Sequence, residues 1–112
     1  MTYFMKLTQY GVARVTDALA GGDPVDLTHM AVGDGNGADV EQPDGTETEL
    51  VREVNRAVIS AIYKNPSDET VFAVEMAIAS DVGGWHVREV GVFDSTGALF
   101  AYGNFPNTYK ST

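Results

Sequence analysis

Between residues 7 and 22, LTQYGVARVTDALAGG, apolar positions recur every three or four residues, so that Val12, Val15 and Leu19 fall on one stripe of a helix roughly 18 Å long. Thr8 is placed to cap its start, Leu7 and Val12 have the spacing of a hydrophobic staple, and Gly21 and Gly22 supply the stop. Such a stripe requires a sheet to cover. In DPVDLTHMAV, Pro24 disfavours helix at its predecessor and β-favouring residues follow, which predicts a strand over about 25–32. Residues 33–45 hold four glycines, a proline and a run of acids with little large apolar content, the composition of a surface loop. In TETELVREVNR, Thr46 and Glu49 have capping-box spacing and Leu50 and Val54 lie four apart, predicting a short helix over 47–54.

Beyond this point the period drops to two. RAVISAIYKN and TVFAVEMAIAS flank NPSDE, whose Pro, Ser and Asp favour turns, so the pair reads as an antiparallel hairpin. Phe72, Val74, Met76 and Ile78 alternate with Ala73, Glu75, Ala77 and Ala79, which gives one bulky and one nearly flat face and favours strand over helix. The flat face is expected to take the chain's own first helix, or another protomer. HVREVGVFD and ALFAYGNF form a second pair around the STG turn. The elements sum to an α+β fold, N-terminal helices packed on an antiparallel β-meander, in a single domain spanning residues 1–112.

Composition narrows the function. Acids outnumber Lys and Arg by 16 to 7, for a net charge of −9, which speaks against nucleic acid, whose backbone demands clustered cations. There is no cysteine, so disulfides, thiolate zinc sites and cysteine nucleophiles are excluded together. No apolar run approaches the roughly 20 residues that cross a bilayer, and the opening MTYFMKLTQY lacks a signal-peptide core, so a soluble product made in the cytoplasm and no membrane insertion are expected.

HMAVGDGNG, residues 29–37, invites three chemical readings. A P-loop requires a lysine after its glycines, yet no Lys or Arg occurs between Arg14 and Arg52. The dinucleotide fingerprint fails because Gly33, Gly35 and Gly37 lie two apart and open no apolar helix. Asp34, Asn36 and Asp39 offer hard oxygen ligands, but an EF-hand starting at Asp34 would need glycine sixth and glutamate twelfth, where this chain has Asp39 and Gly45. The remaining reading is a turn in which glycines take positive φ and Asx side chains cap their own backbone. His29 and His86 form no metal-ligand pair, and no serine stands in a nucleophile elbow, so neither catalytic nor cofactor-binding residues are expected. Trp85 follows Gly83 and Gly84 and precedes Arg88 and Glu89, either as a core indole with a strand-end ion pair or as interface anchors.

The segments YFMKLTQYGVARVTDALAGG, LTHMAVGDGNG and ASDVGGWHVREVGVFDSTGALFAYGNFPNTYK resemble, in that family's order, the N-terminal domain of phage tail-collar fibre proteins of contractile-tailed phages and related phage-tail-like bacteriocins. The resemblance covers nearly the whole chain, and the glycine loop together with GGWHVREVG is more specific than either piece. It departs at His86, where the resemblance implies a more apolar or aromatic residue. It implies a structural role without catalysis: a domain that anchors a fibre, as a homotrimer, to a baseplate protein in the virion tail, with host recognition by distal regions. Gly33, Asp34, Gly35, Asn36, Gly37, Gly83, Gly84, Trp85, Arg88 and Glu89 are then the candidate interface or signature residues. The net charge alone leaves a small acidic inhibitor or nucleic-acid mimic as the alternative.

Overall fold

The computed structural model describes residues 5–65 and 68–112. Its strands are β1 (Met5–Leu7), β2 (Leu27–Gly33), β3 (Glu53–Val58), β4 (Ala61–Asn65), β5 (Asp68–Glu75), β6 (Trp85–Asp94) and β7 (Leu99–Lys110); α1 (Gln9–Leu19) is the one α-helix among the described residues. Five strands form an antiparallel sheet in the order β1-β7-β6-β2-β3, while among the described residues β4 and β5 pair only with each other. The architecture is therefore mostly β, which corrects the expected α+β fold with several N-terminal helices. Nor is the large sheet a meander, since β2 lies between β6 and β3 and the β4–β5 hairpin is looped out.

The register sorts the core into two faces. Gly91 of β6 stands opposite Ala31 and Tyr102, and on this face Ala31, Phe93, Leu99 and Tyr102 pack under Leu50 and Val40 of the long loop. Val92 stands opposite Met30 and Ala101, and on this second face Val92, Phe100 and Ala101 meet Leu7, Val15, Val25 and Ile59. Further along the same face, Val32, Val87 and Val90 are covered by Met76, Ile78 and Trp85. The sheet is thus sandwiched between a loop and a helix.

Helix α1 starts as expected. The Thr8 hydroxyl accepts from the Gly11 N–H at 3.0 Å and itself donates to the Leu99 carbonyl at 2.7 Å, so one buried threonine both caps the helix and ties it to β7. Its packing face differs from the expected stripe. Val12 is exposed and Leu19 is 84% exposed, while the buried line runs through Gly11 and Val15. A Cβ at position 11 would fall inside the contact radius of the Phe100 carbonyl oxygen, so glycine lets the helix approach the backbone of β7 where a larger residue could not. Leu7 does not staple to a buried Val12.

The helix expected over 47–54 does not form. Residues 48–52 are bent coil leading into β3, and Glu47 instead accepts from the N–H groups of Asp44 and Gly45 at 3.1 and 3.0 Å. Burying Leu50, only 6% exposed, contributes about 2 kcal/mol, whereas propensity at each helix position is worth a few tenths to 0.7 kcal/mol, so the tertiary contact prevails.

Both hairpins form. The β6–β7 pair turns at residues 95–98 with Gly97 at φ 85°, and the Asp94 carboxylate accepts from the Thr96 and Ala98 N–H groups. β7 runs five residues past the expected end, through Pro106, because the ladder shifts register between Val87 and Glu89 and proline, which cannot donate, sits in that bulge. In the first hairpin, Pro66 and Ser67 of the expected turn, and the side chains of Phe72 and Ala73, lie outside those described. β5 ends at Glu75, yet Met76 and Ile78 continue inward onto the sheet. Ala77 and Ala79 are exposed and α1 lies over β7, so the flat alanine face is not filled by the first helix.

A loop held by a buried carboxylate

Glu89 sits in the middle of β6 and is fully buried. Its carboxylate accepts from the N–H groups of Val51 at 2.7 Å, Arg52 at 2.8 Å and Gly35 at 3.2 Å, and from the Tyr102 hydroxyl at 2.6 Å. Hydrogen bonds to a charged group contribute about 1.5–3 kcal/mol each, and four of them offset the cost of removing one carboxylate from water. Burial raises the Tyr102 phenol pKa, and the hydrogen bond to Glu89 and the charges of Glu89 and Glu47 raise it further, so the phenol remains a donor. Three main-chain amides converging on an oxyanion are what a phosphate cradle provides; here the oxyanion belongs to the chain itself.

The glycine loop is shaped around this centre. Gly33 is squeezed between the Arg52 carbonyl and the Glu89 carboxylate, where any side chain would collide. Gly35, Asn36 and Gly37 have φ of 64°, 57° and 89°, and the Asp34 carboxylate accepts from the Asn36 N–H at 2.9 Å. Asp34 also faces Arg52 at 3.5 Å, and Arg88 donates to the Asp34 carbonyl at 2.8 Å with its Nε 3.9 Å from Asp39. Arg88 and Glu89 therefore do not pair with each other. Both serve the loop, Arg88 at the bulge and Glu89 beneath it. Beside them an open cleft of about 410 Å³ is bounded by Asp39, Val40, Glu41, Asp44, Glu47 and Val51. Among the described residues no three of His, Asp or Glu come together as metal ligands.

The candidate residues fall into two groups. Residues 33–37 meet Arg88 and Glu89, although 54 positions separate Gly35 from Glu89. Gly83, Gly84 and Trp85 lie at the start of β6, where the Gly84 N–H donates to the Lys110 carbonyl at 2.7 Å and the indole is half-buried against Val32, Val87 and Val90. His86 bonds Asn107 at 2.6 Å and tilts against Tyr109, its ring centre 5.0 Å away, while His29 contacts Thr28 at 2.9 Å. Tyr102, Leu50 and the amides of Val51 and Arg52 were not among the candidate site residues named from sequence. The available signal was an acid, Glu89, inside a valine-rich strand, which demands donors from somewhere.

A second carboxylate works in the same way at the opposite end. Asp94, buried at the β6 end, accepts from the Tyr10 hydroxyl of α1 and from the Thr96 hydroxyl at 2.6 Å. Burial pushes its carboxyl up, but donors from the Thr96 side chain, Tyr10 and the Thr96 and Ala98 amides outweigh it, leaving the group below the usual aspartate range.

The two buried acids among the described residues, Glu89 and Asp94, thus both take their donors from the chain itself. Its class is given by comparison with known proteins. Residues 1–112 match the family described as phage tail-collar fibre protein, N-terminal, and the chain belongs to that family, a structural component of the virion tail. It is similar to the "Probable tail fiber protein" of Escherichia phage P2, with 36% identity over 105 residues, covering 93% of this chain and 16% of that relative. No solved structure matches. No helix among the described residues is long and apolar enough to cross a membrane.

Proposed function

We propose that this domain anchors a tail fibre to the tail baseplate, that it does so as a homotrimer, and that host recognition belongs to parts of the fibre beyond these residues. Membership of an N-terminal tail-fibre family over the full chain, which itself spans 16% of its P2 relative, carries this role. The loop over Glu89 suits docking because it is preorganised: its backbone is already fixed, so little ordering entropy is lost when a partner binds. Its rim bears Asp39, Glu41, Asp44 and Glu49, all exposed. A baseplate protein that seats here presents a basic surface, and its association rate falls with salt.

Capture of purified baseplate protein by the immobilised chain at rising sodium chloride tests this. Capture with an on-rate that falls steeply as salt rises is the expected result. Capture insensitive to salt would remove the acidic rim from the role, and absence of capture at low salt would overturn the anchoring itself.

A further inference from the structure

Asn36 and Gly37 form the one Asn-Gly pair in the chain; Asn55, Asn65, Asn104 and Asn107 are followed by Arg, Pro, Phe and Thr. Glycine in that place matters chemically, because no Cβ shields its amide nitrogen from the side-chain amide before it. Asn36 is exposed, and open space surrounds the position a Cβ would take at Gly37. Water and room are therefore at hand, yet the turn aims the two groups apart. At ψ 39° the Gly37 nitrogen lies across the Cα–C bond from the Asn36 Cβ, whereas closure of a five-membered ring needs both on one side. Neighbours keep the turn in this state. The Asp34 carboxylate accepts from the Asn36 N–H at 2.9 Å, and the Asp34 carbonyl accepts from the Gly37 N–H at 3.3 Å and from Arg88 at 2.8 Å. One residue earlier, the Gly35 N–H is held by the buried Glu89 at 3.2 Å.

We propose that Asn36 is a site of spontaneous deamidation, closed while Glu89 holds the loop and open when residues 34–37 leave it. Once the turn rotates, the Gly37 nitrogen attacks Cγ of Asn36. The N–Cγ bond forms, the Cγ–Nδ2 bond breaks, and the side-chain nitrogen leaves as ammonia with the proton that the Gly37 amide gives up. Water then opens the cyclic imide at one of its two carbonyls, leaving aspartate or isoaspartate. Either product adds a negative charge between Asp34 and Asp39. Isoaspartate also routes the main chain through the side-chain Cβ, lengthening it by one carbon beside the Gly35 amide that Glu89 holds, so the modified loop no longer closes over the carboxylate as before. The site is independent of the anchoring role proposed above.

Incubation of the full chain in mildly alkaline buffer tests this, with mass spectrometry of the tryptic fragment 15–52, whose one asparagine is Asn36. Wild type converts about tenfold or more slowly than a free peptide of residues 30–40, because the loop opens only a minor fraction of the time. Glu89→Gln speeds conversion severalfold with the fold intact by circular dichroism; Tyr102→Phe, which removes one donor from the same carboxylate, takes its place if that variant does not fold. Asp94→Asn weakens the far end of β6 and leaves the rate at the wild-type value. Conversion in folded wild type as fast as in the peptide would overturn the gate, and so would a folded loop variant no faster than wild type. Equal acceleration by Asp94→Asn would also overturn it, since the reaction would then run through global unfolding. No conversion at Asn36 in the folded loop variant, while the peptide reacts, would overturn the site itself.

Discussion

The loop of residues 34–52 and the β4–β5 hairpin invert the usual relation between regularity and integration. The loop has one short 3₁₀ turn, yet it contributes Leu50 to the core and three amides to Glu89. The hairpin has a regular antiparallel ladder, from Ala61 opposite Glu75 to Lys64 opposite Phe72, yet forms a sheet of its own. Hydrogen bonds within a ladder satisfy the backbone but bury little by themselves. What fixes a segment to a fold is the apolar area it covers and the buried polar groups that depend on it.

The largest test of this contrast is to release the loop. Glu89→Ala leaves buried donors from Val51, Arg52, Gly35 and Tyr102 without their acceptor and costs about 4 kcal/mol, read as a fall in the urea midpoint. Glu89→Gln keeps the shape but turns an amide N–H₂ toward these donors, and recovers only part of that loss. Leu50→Ala removes the apolar half of the same attachment and costs about 3 kcal/mol.

Asp94 provides a pH-dependent comparison, since it ties α1 to the β6–β7 turn by carboxylate chemistry similar to that beneath the loop. Its folded pKa lies below the unfolded value, so its contribution is present above the ordinary aspartate value of about 3.9 and is lost as pH falls through the folded pKa. The stability gap between wild type and Asp94→Asn, measured by urea titration, should therefore be wide at neutral pH and shrink below pH ~3.9.

Gly37→Ala probes the turn alone. Nothing crowds a Cβ there, but φ is 89°, so the cost is the left-handed backbone penalty of about 1 kcal/mol, seen as a modest drop in melting temperature. The smallest global effect belongs to the hairpin: Val74→Thr changes stability by about 0.5 kcal/mol or less, read from the urea midpoint, within the range of a substitution outside the main core. Hydrogen exchange sharpens the same contrast, with the amides of Ile62 and Val74 exchanging well before those of Val92 and Ala101.

Features set by neighbours in sequence were legible. Thr8 caps its helix because its acceptor and the Gly11 N–H are three residues apart, and the STG turn closes a hairpin because glycine supplies the positive φ. Within the candidate site, the turn at 33–37 was legible for the same reason, and the resemblance joined it to residues 83–89. That Glu89 is its structural centre was not, because the carboxylate's donors come from positions 35, 51, 52 and 102. The helix expected over 47–54 failed at the same point: capping-box spacing and a Leu–Val pair are local signals, while Leu50 and the Val51 and Arg52 amides answer to a distant strand.

Sequence alone therefore determined the Thr8 cap, the glycine turns at 33–37 and 95–98, the acidic charge and the family, since each is written within a few residues or in their sum. Tertiary structure alone decided which stripe of α1 faces the sheet, which strands are neighbours, and where the buried carboxylates find their donors. Local preferences are worth tenths of a kcal/mol per residue, whereas burying one leucine or satisfying one carboxylate is worth several times more, so the choice passes to contacts that exist only once the chain has folded.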